Sequence, residues 1–124
     1  MPGPTGRFGP ADRLLRPAEF RTVGEEGRRA ANPCFVVLVW QRSTGSRSGR
    51  VRLGVTVSRK VGHAVVRNRV KRRIREWFRA ARGAMRPGID LLVIARRAAA
   101  GRGARELDAA LCELSIAAGA AGGE

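Results

Sequence analysis

A chain of 124 residues is the length of one ordinary domain, which excludes a multidomain machine, and its 44% apolar content excludes wholesale disorder. Against 10 acidic side chains stand 25 basic ones, all Arg except Lys60 and Lys71; the resulting formal charge of +15 points to polyanionic partners and opposes self-association. The longest apolar run, residues 34–40, falls far short of the ~20 residues that span a bilayer, and MPGPTGRFGP at the start carries no apolar h-region, so neither a membrane partner nor a secretory signal is expected.

In chain order, residues 1–12 are Pro- and Gly-rich and read as a flexible tail. A short helix follows: Pro17 suits its first turn, Glu19 suits its dipole, Phe20 and Val23 share a face, and Gly24 and Gly27 end it. Residues 28–33 read as a basic connector. Residues 34–41 (CFVVLVWQ) form a strand apolar on both faces, hence one covered on both sides. STGSRSG is a turn, and residues 50–58 alternate, with Val51, Leu53, Val55 and Val57 facing one way. The two strands are expected to pair as an antiparallel hairpin, with a bulge or close contact at Gly54.

Residues 64–82 carry the strongest helix signal, because Val66, Val70, Ile74, Trp77, Phe78 and Ala81 recur at helical spacing. IDLLVIA (89–95) is a further strand, and residues 104–118 are an amphipathic helix with Leu107, Leu111 and Leu114 on one face. Residues 119–124 read as a flexible tail. The order α-β-β-α-β-α, with the second strand segment open to division in two, gives a small α+β sandwich over residues 13–118, a single domain.

Composition limits the chemistry. Cys34 and Cys112 are too few for a disulfide framework or a four-ligand zinc site, and both sit in apolar stretches that read as core. The sole histidine is His63, and the acids are scattered. Protein nucleases use clustered carboxylates or a His pair; this chain offers neither, so no catalytic or metal-binding side chains are expected, and no small-molecule substrate. If the chain serves a hydrolase, another component carries the reactive groups.

On a helical wheel at about 100° per residue, Lys71, Arg72, Arg75, Arg79 and Arg82 fall opposite the apolar stripe, together with Asn68. Like charges at i,i+4 spacing repel by a few tenths of a kcal/mol per pair, and only Glu76 interrupts the run. An ordinary solvated face would mix signs; an external anion accounts for this one better. The guanidinium fork favours phosphate and base recognition. A membrane-surface helix would need its apolar face exposed, and here that face is committed to the sheet. Arg59, Lys60 and Gly62 add cations and a tight turn beside the helix N-terminus. The G-x-x-G loop of KH domains and the aromatic RNP strand of RNA-recognition motifs are both missing.

TVSRKVGHAVVRNRVKRRIREWFR, residues 56–79, resembles the signature of the bacterial ribonuclease P protein subunit family, centred on Arg67-Asn68-Arg69 and Val70-Lys71-Arg72. Arg13-Leu14, Phe20, Gly27, Arg52-Leu53-Gly54, Gly88-Ile89-Asp90 and Ile94-Ala95-Arg96 extend the resemblance in the family's order across residues 13–115. The resemblance implies a two-layer α-β-β-β-α-β-α sandwich, ribonuclease P protein-like and ribosomal protein S5 domain 2-like, with a left-handed crossover around the basic helix. It implies a cytoplasmic ribonucleoprotein whose RNA subunit removes the 5′ leader of precursor tRNA with Mg²⁺ held by RNA, none being bound by the protein.

By the same resemblance, Arg67, Asn68, Arg69, Lys71, Arg72 and Arg75 match the helix that docks on ribonuclease P RNA. Phe20, Arg13 and Lys60 match positions at the cleft for the single-stranded leader, although Phe20 also fits plain core packing. Two aromatic positions of the family are occupied here by Gly24 and Leu38; Trp40, on the face of Leu38, is the expected substitute. A ribosome-associated or general RNA-binding protein shares the charge but leaves the ordered motif set unexplained, and a protein-only nuclease lacks its carboxylates.

Overall fold

Ile89–Ala95, strand β4, is apolar at every position but Asp90 and buried along nearly its whole length, so it belongs at the centre of a sheet. The computed structural model describes Arg13 and residues 17–42 and 50–120, in the order α1 (Pro17–Glu26), β1 (Arg28–Ala31), β2 (Phe35–Gln41), β3 (Arg52–Thr56), α2 (Ala64–Ala81), β4 and α3 (Ala104–Ala117). Short 3-10 turns lie at Arg59–Val61, Arg82–Ala84 and Arg97–Gly101. The expected tail at 1–12 and the STGSRSG turn lie outside the described residues.

The sheet runs β1-β2-β4-β3, and the expected β2–β3 hairpin does not form. β4 inserts between the two, antiparallel to β2 (Phe35↔Ala95 to Gln41↔Ile89) and parallel to β3 (Arg52↔Asp90 to Thr56↔Ile94). The largely apolar β4 gains more from two covered faces and two neighbours than an edge position would give it. Register continues unbroken through Gly54, opposite Leu92, with no bulge.

The third strand of the α-β-β-β-α-β-α order is β1, in the segment expected to be a connector, and not a split of the second strand. It pairs antiparallel with β2, Arg28↔Val39 to Ala31↔Val36. A short edge strand with a wet outer side can carry Arg and Ala, which hides it from a hydrophobic pattern. Asn32 turns the chain into β2, its Oδ1 accepting from the amides of Cys34 (3.0 Å) and Phe35 (2.9 Å).

Alternation sorts the strands onto two faces. Phe35, Val37, Val39, Leu53, Leu91 and Val93 face α2 and α3, whose Val70, Ile74, Trp77, Phe78, Leu107, Leu111 and Leu114 complete the main core. The apolar stripe of α2 is therefore where its period places it. Val36, Leu38 and Leu92 face the other way and meet Val23 of α1, with Phe20, Trp40 and Ile94 packed around them. β2 is covered on both sides, as its composition demands.

Three side chains depart from expectation. Arg82, placed by the wheel on the cationic ridge, is 8% exposed and lies over the Phe78 ring at 5.8 Å, because it continues the helical geometry one turn beyond Phe78, its amide bonded to Phe78 O, at the edge of the apolar stripe. Cys112 is exposed, its sulfur accepting from Trp77 Nε1 at 3.3 Å, while Cys34 is buried. Ala120, expected in the flexible tail, is fully buried. Gly119, at φ 84°, caps α3. Its amide bonds Ile116 O at 3.0 Å and that of Ala120 bonds Ser115 O at 2.8 Å, a Schellman closure that turns the chain back onto the core. Residues 121–124 lie outside the described residues.

Gly24 lies inside α1, and Gly27 alone ends it. A Cβ on Gly27 would stand 2.5 Å from Val23 O and 2.9 Å from Val39 O. Gly27→Ala is therefore expected to lower stability by about 1–3 kcal/mol, the usual penalty of overpacking against atoms that cannot yield, measured as a drop in the urea midpoint.

Candidate nucleic-acid interface

The exposed side of α2 is built from residues four, three and four apart. Asn68, Arg72, Arg75 and Arg79 form one stripe and line a shallow depression along the helix, on the side away from the buried Val70, Ile74, Trp77 and Phe78. Asn68, Arg72 and Arg79 are exposed and Arg75 is half-buried. Glu76 borders the stripe but is ion-paired with Arg73 at 3.5 Å, and Arg73 also takes Asp108 of α3 at 3.1 Å. Arg73 thus partly neutralises the one acid at the border of the stripe, where three arginines leave the field positive.

Of the sequence-predicted residues, Asn68, Arg72 and Arg75 come together in this stripe, and Lys71 flanks it, half-buried. Arg67 and Arg69 cannot share its line, since neighbouring helical residues diverge by about 100°. Each is tethered to the main chain instead: Arg67 Nε donates to Gly62 O at 3.1 Å, and Arg69 Nη2 donates to Ala100 O. Such tethers lower the entropy lost when an arginine meets a phosphate. Arg69 turns with Arg72 and Arg73 toward a notch against Ala104 and Leu107 of α3.

On the opposite face of the sheet, Phe20 and Trp40 are half-buried and pack around the same small apolar cluster. They are the two cleft residues that the structure brings together. Leu38 beside them is buried, and Gly24 has open space where a side chain would stand. Arg13 bridges to Leu53 at the outer edge of β3, and Lys60 stands exposed in the 3-10 turn after β3.

Trp40 lies directly across from Asp90, and Asp90 directly across from Arg52. Asp90 is 1% exposed. Arg52 clasps it with both ends of a fork, Nε to Oδ1 and Nη2 to Oδ2, each 2.8 Å, and reaches Glu19 of α1 through Nη1 at 2.9 Å. Arg42 adds a second ion pair to Asp90 and also donates to Ile89 O at 3.1 Å. The hydrogen bond to Asp90 raises the Arg52 guanidinium above its ordinary pKa against the opposing effect of burial, with Coulombic help from Asp90 and Glu19. The sequence reading missed this network. Its one signal was an acid standing alone in an apolar strand, which must find a cation.

Among the described residues no three His, Cys, Asp or Glu side chains gather into a metal site. The buried carboxylate, Asp90, is occupied by two arginines. No described helix is long and apolar enough to cross a membrane.

A cationic stripe on one side of a small α+β sheet and an aromatic shelf on the other define a nucleic-acid-binding scaffold. The sequence matches the Ribonuclease P family over residues 8–118. It is 39% identical over 107 residues to the ribonuclease P protein component of Desulfosudis oleivorans, covering 86% of this chain and 85% of that one. Against the component from Clostridium kluyveri it is 42% identical over 98 residues, covering 77% and 84%. The RNase P protein structure from Staphylococcus aureus superposes with a TM-score of 0.78 at 32% identity over 87% of this chain and 96% of that one. The one from Thermotoga maritima, solved with 1-(4-fluorophenyl)-2-thiourea, gives 0.71 at 32% identity over 82% and 94%. The chain belongs to the ribonuclease P protein family, and with it to the RNA-binding proteins of tRNA processing.

Asp90→Ala should destabilise the fold by about 3 kcal/mol, the lower end for breaking a buried ion pair because Arg52 and Arg42 retain some access to water. Denaturant titration measures it. A loss below about 0.5 kcal/mol, the level of an ordinary surface substitution, would show that the carboxylate carries no structural weight.

Proposed function

We propose that this protein is the RNA-docking and leader-holding subunit of a cytoplasmic ribonuclease P ribonucleoprotein, and that bond cleavage belongs to its RNA partner. The stripe Asn68, Arg72, Arg75 and Arg79, with Arg67, Arg69 and Lys71 at its flanks, binds ribonuclease P RNA. The shelf of Phe20 and Trp40, with Arg13 and Lys60 nearer the β3 edge, takes the single-stranded 5′ leader of precursor tRNA. The observation that carries this reading is the stripe itself, whose bordering acid, Glu76, is ion-paired with Arg73.

The chemistry of each surface follows from its groups. A guanidinium presents a planar fork that matches two phosphate oxygens and keeps its charge at any accessible pH. Successive stripe residues, spread over about 16 Å of helix at 1.5 Å per residue, can therefore follow a backbone without reading its sequence. Trp40 and Phe20 offer flat faces on which any base can stack, which suits a leader of variable sequence. Magnesium, held by the RNA subunit, would supply charge stabilisation and water activation at the scissile phosphate. The role of this chain is to hold substrate and RNA subunit together.

The decisive experiment is leader removal by purified protein and ribonuclease P RNA, separately and mixed, at low magnesium. The protein alone is expected to be inert and the mixture active; cleavage by RNA-free protein would overturn the reading. Arg72→Ala and Arg75→Ala should each weaken RNA-subunit binding at all sequences and reduce the slope of log K against log salt by about 1. Arg105→Ala on α3, outside the stripe, should leave the slope unchanged; equal losses would mean that only net charge matters.

Trp40→Ala is expected to weaken holoenzyme binding of leader-bearing precursor by about 1–3 kcal/mol, one base stack, and to leave leaderless tRNA unaffected. Filter binding measures both, and an unchanged leader-bearing affinity would remove Trp40 from the site.

A further inference from the structure

We infer that Arg52 is the positioning residue that fixes the two walls of the aromatic shelf relative to each other. The inference rests on the reading of that shelf as the leader site. Phe20 sits on α1 and Trp40 on β2, elements that pack through a small apolar cluster of Val23, Val36, Leu38 and Leu92. Such a cluster is non-directional and does not by itself set the angle or height of a helix. Arg52 supplies the direction.

Its fork holds Asp90, whose cross-strand neighbour is Trp40. Its remaining nitrogen holds Glu19, the residue adjacent to Phe20. One planar guanidinium therefore ties Glu19 of α1, at 2.9 Å, to Asp90 of β4, at 2.8 Å, and so reaches β2 through the strand that pairs with it. The buried half of the tie, Asp90, is further fixed by Arg42. The Glu19 half is about a quarter exposed and is the adjustable member. A lysine at position 52 would keep the charge but not the fork, since an ammonium cannot hold two carboxylates in one plane. Stacking a flexible strand between two aromatics depends on their spacing, so a loosened tie lowers the leader's contribution before it lowers anything else.

Holoenzyme assembled from ribonuclease P RNA and wild-type, Glu19→Gln, Arg52→Lys or Arg105→Ala protein tests this. Dissociation constants are measured for leader-bearing precursor and for leaderless tRNA, together with RNA-subunit affinity and melting temperature. Glu19→Gln, which leaves the buried fork whole, is expected to cut the leader-bearing preference about threefold to fivefold, the range of a partly exposed ion pair. Arg52→Lys should cut it at least as far. RNA-subunit affinity should stay within about twofold in both variants, below the effect of losing one ion pair, and Arg105→Ala should keep the wild-type preference. If the wild type prefers the leader and both variants prefer it equally, the inference is overturned while the leader reading stands. Parallel losses of preference and RNA-subunit affinity would also overturn it, marking Arg52 as a general structural residue. A wild type without leader preference overturns the leader reading and this inference together.

Discussion

A carboxylate withdrawn from water inside a chain of net charge +15 is the constraint on which the arrangement turns. Asp90 opens the central strand, and its charge is tolerable there only with cations in hydrogen-bonding contact. Arg52 brings the next strand and Arg42 the end of β2, and Arg52 then carries Glu19 and with it α1. The apolar faces supply the bulk of the stabilisation, but they are interchangeable in register. The ion network is not, because a one-residue slip of β3 against β4 would turn Arg52 to the opposite face and leave Asp90 alone.

The remaining arginines face a different balance. On α2 the cations crowd at i,i+4 spacing, and the helix forms regardless because Val70, Ile74, Trp77 and Phe78 are buried on its other side. Burial of a large side chain contributes about 1.5–3 kcal/mol, against a few tenths for each like-charge pair. Packing therefore wins by a wide margin, and the repulsion remains as latent affinity for a polyanion. Arg73 shows that the protein also neutralises locally: it takes Glu76 and Asp108, which joins α2 to α3.

How much of this was legible in the sequence depended on the range of the interaction. The stripe of α2, the doubly covered β2 and the alternation of β3 all rest on near neighbours, and local periodicity carries them. The strand order does not. Nothing within the 34–41 or 50–58 segments says that a strand more than thirty residues downstream will enter between them, and adjacency favoured a hairpin that the sheet refuses. β1 escaped because an edge strand of Arg-Arg-Ala-Ala has no apolar alternation to show. Arg82 and Cys112 failed differently: a residue at the edge of the cationic arc, four after Phe78, can fold its long side chain onto the apolar stripe, and an apolar neighbourhood in sequence does not give a helical residue a buried side. Trp40 beside Leu38, by contrast, followed from the two-residue period of a strand and was correctly placed.

The sheet also explains why the two proposed RNA surfaces do not interfere. A helix layer packs about 10 Å from its neighbour, so the stripe of α2 and the shelf beneath α1 are separated by the full thickness of the core and look in opposite directions. A strand bound on one side adds no steric or direct phosphate repulsion to a strand on the other. On the proposed function this is what a bridging subunit requires: one face committed to a structured RNA through backbone charge, the other open to a single strand through stacking. The two affinities then depend on salt differently, because counterion release dominates the first and ring contact the second.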